Sequence, residues 1–99
     1  MPVRVGILGF GAIGRSVVDS LLEHKEEFHL VGFSDVEQVD STPIPQMPVE
    51  EMIHASDIVV EVASHAAVRE YAVQIIESGT DLLIVSVGAL ADRSLEEKL

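Results

Sequence analysis

The chain has 99 residues, 47% of them hydrophobic, and its 17 acidic against 6 basic side chains give a net charge of −11. That balance argues against nucleic acid as a partner, because neutralising phosphates needs clustered Lys and Arg, and against anionic membrane surfaces. The absence of cysteine excludes a disulfide framework and thiolate metal sites and fits a reducing, cytoplasmic setting.

No apolar run has the length of a bilayer span or the layout of a signal peptide. The length suits one domain over 1–99. With three Phe, one Tyr and no Trp, its core must be built from Val, Ile, Leu and Ala.

Val3 to Leu8 reads as the first strand, and it runs into Gly9-x-Gly11-x-x-Gly14. Gly9 permits a tight strand-to-helix turn, Gly11 lets a diphosphate approach the backbone, and Gly14 lets the helix press on the strand. The helix N-terminus at Ala12 and Ile13 adds free N–H groups and a partial positive charge. The helix runs from Ala12 to about His24, with Ile13, Val17 and Leu21 in an apolar stripe beside Val18 and Leu22. His24 and Lys25 fall at its C-terminal end, where cations suit the dipole.

Phe28 to Ser34 is the second strand, and 36–47, with Pro43 and Pro45, is an extended surface loop. Pro48 opens a short helix whose buried face is Val49, Met52 and Ile53. Asp57 to Ala63 is the third strand. A third helix from His65 to Ser78 buries Val68, Ala72, Ile75 and Ile76 and ends at Gly79. Asp81 to Val87 is the fourth strand, and Asp92 or Ser94 reads as the N-cap of a further helix.

The alternation predicts an α/β fold, a doubly wound parallel sheet in strand order 3-2-1-4 with helices on both faces. Residues 82–85 form a continuous apolar run, the pattern of a strand covered on both sides. As a last strand it would be an open edge. The chain therefore reads as truncated, or as covered there by a partner, a second copy included.

Asp35 ends the second strand, twenty-one residues after Gly14. An acid there accepts the hydroxyls of an adenosine ribose and repels the 2′-phosphate of NADP. With no Arg in the adjacent loop, this favours NAD over NADP. The plainer reading is a turn Asp. Ala63 and Ser64 end the third strand, and Ser86 and Gly88 the fourth, where open parallel sheets bind ligands. Ser64 also suits a helix N-cap. The small residues at 86–88 leave room for a nicotinamide ring, or give a turn its backbone freedom.

Glu61 reads as a buried structural acid ahead of a catalytic base, and His65 as a first-turn helix residue ahead of a proton shuttle. Arg15 reads as a solvated helix residue at least as readily as a diphosphate contact. His24, His29 and His54 lack paired ligand spacing, so no metal site is expected. The glycine motif lacks the Gly-Lys-Ser/Thr ending of a Walker loop, which disfavours phosphoryl transfer. No catalytic residue is assigned.

Four segments together carry a family resemblance: Gly9-Phe-Gly-Ala-Ile-Gly14, Asp57-Ile-Val-Val-Glu-Val-Ala-Ser64, Ala67-Val-x-Glu-Tyr-Ala72 and Ser86-Val-Gly-Ala-Leu-Ala-Asp-Arg93. They resemble the N-terminal half of the L-aspartate dehydrogenase family, across essentially the whole chain. The resemblance implies a Rossmann-type NAD(P)-binding domain of an oxidoreductase. In that family the cofactor takes a hydride from the Cα of L-aspartate to give iminoaspartate, in some organisms for NAD biosynthesis.

The resemblance implies cofactor contacts at Gly9, Gly11, Gly14 and Asp35, with Ala63, Ser64, Ser86 and Gly88 beside them. Family members are more than twice as long, and their catalytic histidine and substrate residues lie in a C-terminal domain absent from this chain. The 99 residues alone are then expected to bind NAD weakly and to be inactive, the amino-acid substrate belonging to the full-length protein. Two other readings stand: another dehydrogenase on the same half-fold, homoserine dehydrogenase-like or imino-reductase-like, and a stand-alone NAD-binding regulatory module that oligomerises through the fourth strand.

Overall fold

Strand-period and helix-period segments alternate along the chain. The computed structural model describes residues 2–62 and 65–85, with backbone alone at 65–68. The elements are β1 (Val3–Leu8), α1 (Ala12–Leu22), β2 (Phe28–Ser34), α2 (Val49–Ala55), β3 (Ile58–Glu61), α3 (His65–Glu77) and β4 (Asp81–Ile84). Their identities follow the sequence reading, with trimmed ends. α1 stops at Leu22, so His24 and Lys25 lie in the turn beyond it and no basic residue occupies its last turn. Val87, expected in the fourth strand, and Asp92 and Ser94 lie outside the described residues.

The expected parallel doubly wound sheet is present, but its order is β2-β1-β3-β4 and not 3-2-1-4. The third strand lies on the far side of β1 from β2, pairing Val5 with Ile58 and Leu8 with Glu61. The cause lies in residues 36–48. Pro43, Pro45 and Pro48 lack the N–H groups a ladder needs, so the segment makes one isolated bridge to the outer edge of β2. There the Phe33 N–H donates to the Pro45 carbonyl and the Met47 N–H to the Phe33 carbonyl, each at 2.9 Å. With the outer flank of β2 crossed in this way, the next true strand adds beside β1.

One core lies between the sheet and α1, where Val5, Ile7, Leu30, Phe33 and Val60 meet Val18 and the half-buried Val17, Leu21 and Leu22. A second lies beneath α2 and α3, where Leu8 and Val59 meet Met52, Ile53 and Ile75. A bulge in β2 skips Val31, so Leu30 and Phe33 serve the same face although three residues apart. Ile13 and Ile76, expected in the core, are 57% and 47% exposed. Ile13 stands at the open end of its stripe while Val17, one turn on, packs against the core, and Ile76 faces outward while its neighbour Ile75 is buried. The Val68 side chain lies outside the described residues. Among the described residues no helix is long and apolar enough to cross a membrane.

Candidate cofactor site

The sheet changes winding direction at β1: the chain steps from β1 to β2 on one side, then back across to β3 on the other. In open parallel sheets the crevice above such a point, at the C-terminal strand ends, holds the ligand. The glycine turn opens directly onto it. Gly9 has φ +99°, a conformation that side-chain-bearing residues resist. Its N–H donates to the Ser34 carbonyl at 2.8 Å, tying the ends of β1 and β2.

Gly14 is buried. A Cβ there would lie 2.5 Å from the Gly9 carbonyl oxygen and 3.2 Å from Val62 Cγ2, so helix and turn meet only because Gly14 has no side chain. Gly11 is the opposite case: it is exposed, and an added Cβ would meet nothing within 4 Å. It is also the N-cap of α1, with no side-chain cap and no acidic residue in the first turn. The backbone of Ala12 and Ile13 therefore begins a helix whose positive end faces the crevice.

Asp35 stands immediately after β2, half-buried. Its Oδ2 accepts the Phe10 N–H at 2.8 Å, and its Oδ1 accepts the Glu37 N–H at 3.0 Å. The second bond is the turn role that sequence reasoning weighed; the first joins the carboxylate to the middle of the glycine motif. A carboxylate has about four lone-pair sites, so two such bonds leave it able to accept further hydroxyl donors.

Beside Asp35 lies a cavity of about 480 Å³, whose walls include Ser34, Gln38, Gln46, Glu50 and Tyr71. That volume is in the range of small-molecule sites, roughly 300–1,000 Å³. Sequence reasoning missed these walls. Gln46 Nε2 donates to the Glu37 carbonyl at 2.9 Å while its Oε1 accepts the Val39 N–H at 3.0 Å, so it braces the loop after Asp35. The Ser34 hydroxyl donates to the Met47 carbonyl at 2.8 Å. Burial raises the Tyr71 pKa above its ordinary 10.0, and the neighbouring Glu70 and then Glu50 add to the effect, so the phenol keeps its proton. No motif signals Gln46, and the Ala67-Val-x-Glu-Tyr-Ala72 segment, although it contains Tyr71, gives it no site role; the fold brings both to the cavity beside Asp35.

The structure thus places Gly9, Gly11 and Gly14 in the turn and first helical turn after β1, tied to Asp35 through the Phe10 N–H, while Ala12 and Ile13 open α1 and line a recess along its outer face with Ser16 and Val17. Ala63, Ser64, Ser86 and Gly88 lie outside the described residues, as does the His65 side chain. Glu61 is fully buried at the end of β3, between Leu8 and Ile84 in the sheet. The described residues contain no group of three His, Cys, Asp or Glu placed to hold a metal.

A family model described as "Homoserine dehydrogenase, NAD binding domain" matches residues 9–99. The L-aspartate dehydrogenase of Methanocella arvoryzae is 34% identical over 104 residues, which span 97% of this chain and 38% of that protein. The L-aspartate dehydrogenase of Archaeoglobus fulgidus is 34% identical over 90 residues, spanning 90% and 36% respectively. The crystal structure of aspartate dehydrogenase from Thermotoga maritima matches with a TM-score of 0.77 at 28% identity, over 99% of this chain and 40% of that one. The chain spans well under half the length of these relatives. The resemblance carried by the four sequence segments is borne out.

Proposed function

The chain belongs to the family of NAD-binding domains described for homoserine dehydrogenase, and from that premise we propose that it is the NAD(P)-binding part of an L-aspartate dehydrogenase-like oxidoreductase. Relatives that carry the name L-aspartate dehydrogenase along nearly the whole of this chain support that choice of activity. The division of labour follows from their greater length. Residues 1–99 hold and orient the dinucleotide, and the groups that bind the amino acid and move its proton belong to the remainder of such an enzyme. The bound cofactor would supply the hydride acceptor, while this chain supplies a rigid seat for it.

The observation that carries the reading is the glycine turn itself, closed at Gly14 and open at Gly11. The diphosphate rests on the N-terminus of α1, over Gly11, Ala12 and Ile13. The adenosine ribose offers its hydroxyls to Asp35 and its base to the adjoining cavity. Ala63, Ser64, Ser86 and Gly88 follow along the strand ends towards the nicotinamide. A carboxylate at the ribose favours NAD over NADP by like-charge repulsion.

Calorimetric titration with NAD and NADP tests this, using the wild type and Asp35→Asn. The amide keeps an oxygen for the Phe10 N–H while removing the charge. NAD is expected to bind the wild type more tightly. In the variant NAD should weaken by roughly three- to tenfold, the loss of one or two charged hydrogen bonds partly replaced by neutral ones, and the gap to NADP should narrow. Identical affinities of both proteins for both cofactors would remove Asp35 from the site.

A further inference from the structure

Arg15 is exposed, yet it is not loose: its guanidinium carbon stands 4.7 Å from the centroid of the Phe10 ring. Phe10 in turn stacks on Phe33, with centroids 4.3 Å apart and planes inclined by 21°. Both rings are buried, Phe33 completely, so the cation rests on a platform fixed by the core. A guanidinium held over a ring by its carbon still offers N–H donors to a phosphate in the fork geometry that suits one.

The same Phe10 donates its backbone N–H to Asp35. A single residue therefore carries, on its backbone, the carboxylate that repels a 2′-phosphate and, on its ring, a cation that attracts one. Arg4, on β1, is committed elsewhere, to Asp57 at the opposite end of the sheet.

Building on the proposed cofactor site, we propose that Arg15 is a specificity-determining residue: its guanidinium meets the 2′-phosphate of NADP and offsets the repulsion from Asp35. The chain then separates NAD from NADP less sharply than Asp35 alone dictates. The absence of an Arg after Asp35 is compensated from helix α1, through a contact reached by folding and not by sequence proximity.

Titration of the full chain with NADP and NAD decides it, using the wild type, Arg15→Gln and Arg15→Lys. In Arg15→Gln the dissociation constant for NADP should rise about tenfold, the scale of one charge-assisted contact, and that for NAD less than about twofold. Arg15→Lys should recover part of the NADP affinity. An equal rise for both cofactors would put Arg15 on the shared diphosphate and overturn the inference. Unchanged constants would reduce it to a brace for Phe10 and overturn it as well. A wild-type chain that binds neither cofactor would instead overturn the proposed function, and this inference with it.

Discussion

Gly11 and Gly14 sit one helical turn apart and answer to different constraints. At Gly14 an added methyl meets a backbone oxygen at 2.5 Å, and that oxygen belongs to the turn itself. Gly14→Ala is expected to cost about 1–3 kcal/mol of stability, read as a lowered midpoint in urea. At Gly11 the methyl meets open space. Gly11→Ala should cost under about 1 kcal/mol, the scale of an N-cap change, and under the proposed seating of the diphosphate over Gly11 cofactor affinity should fall. Unaltered affinity in a folded Gly11→Ala protein would mean that the phosphates lie elsewhere. The tight packing at Gly14 and the open backbone at Gly11 are both legible in the sequence because they are local to six residues. The position of Asp35 is legible too, but its bond to Phe10 spans twenty-five positions and depends on β1 and β2 lying side by side. Gln46 carries no local signal, and the segment that contains Tyr71 does not show that its ring borders the cavity beside Asp35.

At the scale of elements, periodicity identified every strand and helix among the described residues, since burial on one face imposes a repeat on each segment by itself. It did not give the strand order, which depends on pairing between distant segments and here on what Pro43, Pro45 and Pro48 prevent. The β1–β3 pair that results is clamped at its N-terminal end. The Arg4 side chain reaches both Asp57 oxygens, Nη2 to Oδ1 at 2.9 Å and Nε to Oδ2 at 3.3 Å. The Arg4 N–H donates to Oδ2 at 2.8 Å.

The Arg4 hydrogen bonds hold the Asp57 pKa below its ordinary 3.8. The folded chain thus favours the charged carboxylate. The clamp's contribution is complete above pH 3.8 and is lost as the pH falls through the lower, folded-state value. Asp57→Asn should therefore be less stable than the wild type at pH 7, with the difference vanishing in strong acid. Because both side chains are about half exposed, molar salt should shrink it too. Urea midpoints across pH and ionic strength check both trends, and a difference that persists undiminished at pH 2 would sink the electrostatic account.

At the scale of the whole molecule the two faces of the sheet are unequally dressed. α2 and α3 pack on one face. Among the described residues the other carries only α1, packed beside β1 and β2. Leu83 pairs with Val60 on that second face and stands 51% exposed. The apolar run at 82–85 announced a strand meant to be covered, and among the described residues β4 has a neighbour on one side only. The isolated chain is expected to self-associate there, detected by light scattering across a concentration series, and Leu83→Lys should suppress it. A wild-type chain that stays monomeric at millimolar concentration would show this flank to be innocuous.

The crossing of the β2 margin by Pro45, Gln46 and Met47 has a consequence for assembly. A sheet with two bare margins can recruit molecule after molecule into an open-ended ribbon. Among the described residues one margin is barred at Phe33 and the other, along β4, is unpaired. Edge-to-edge joining through that unpaired margin would use it up in both participants at once, so the expected product is a closed couple and not a fibril.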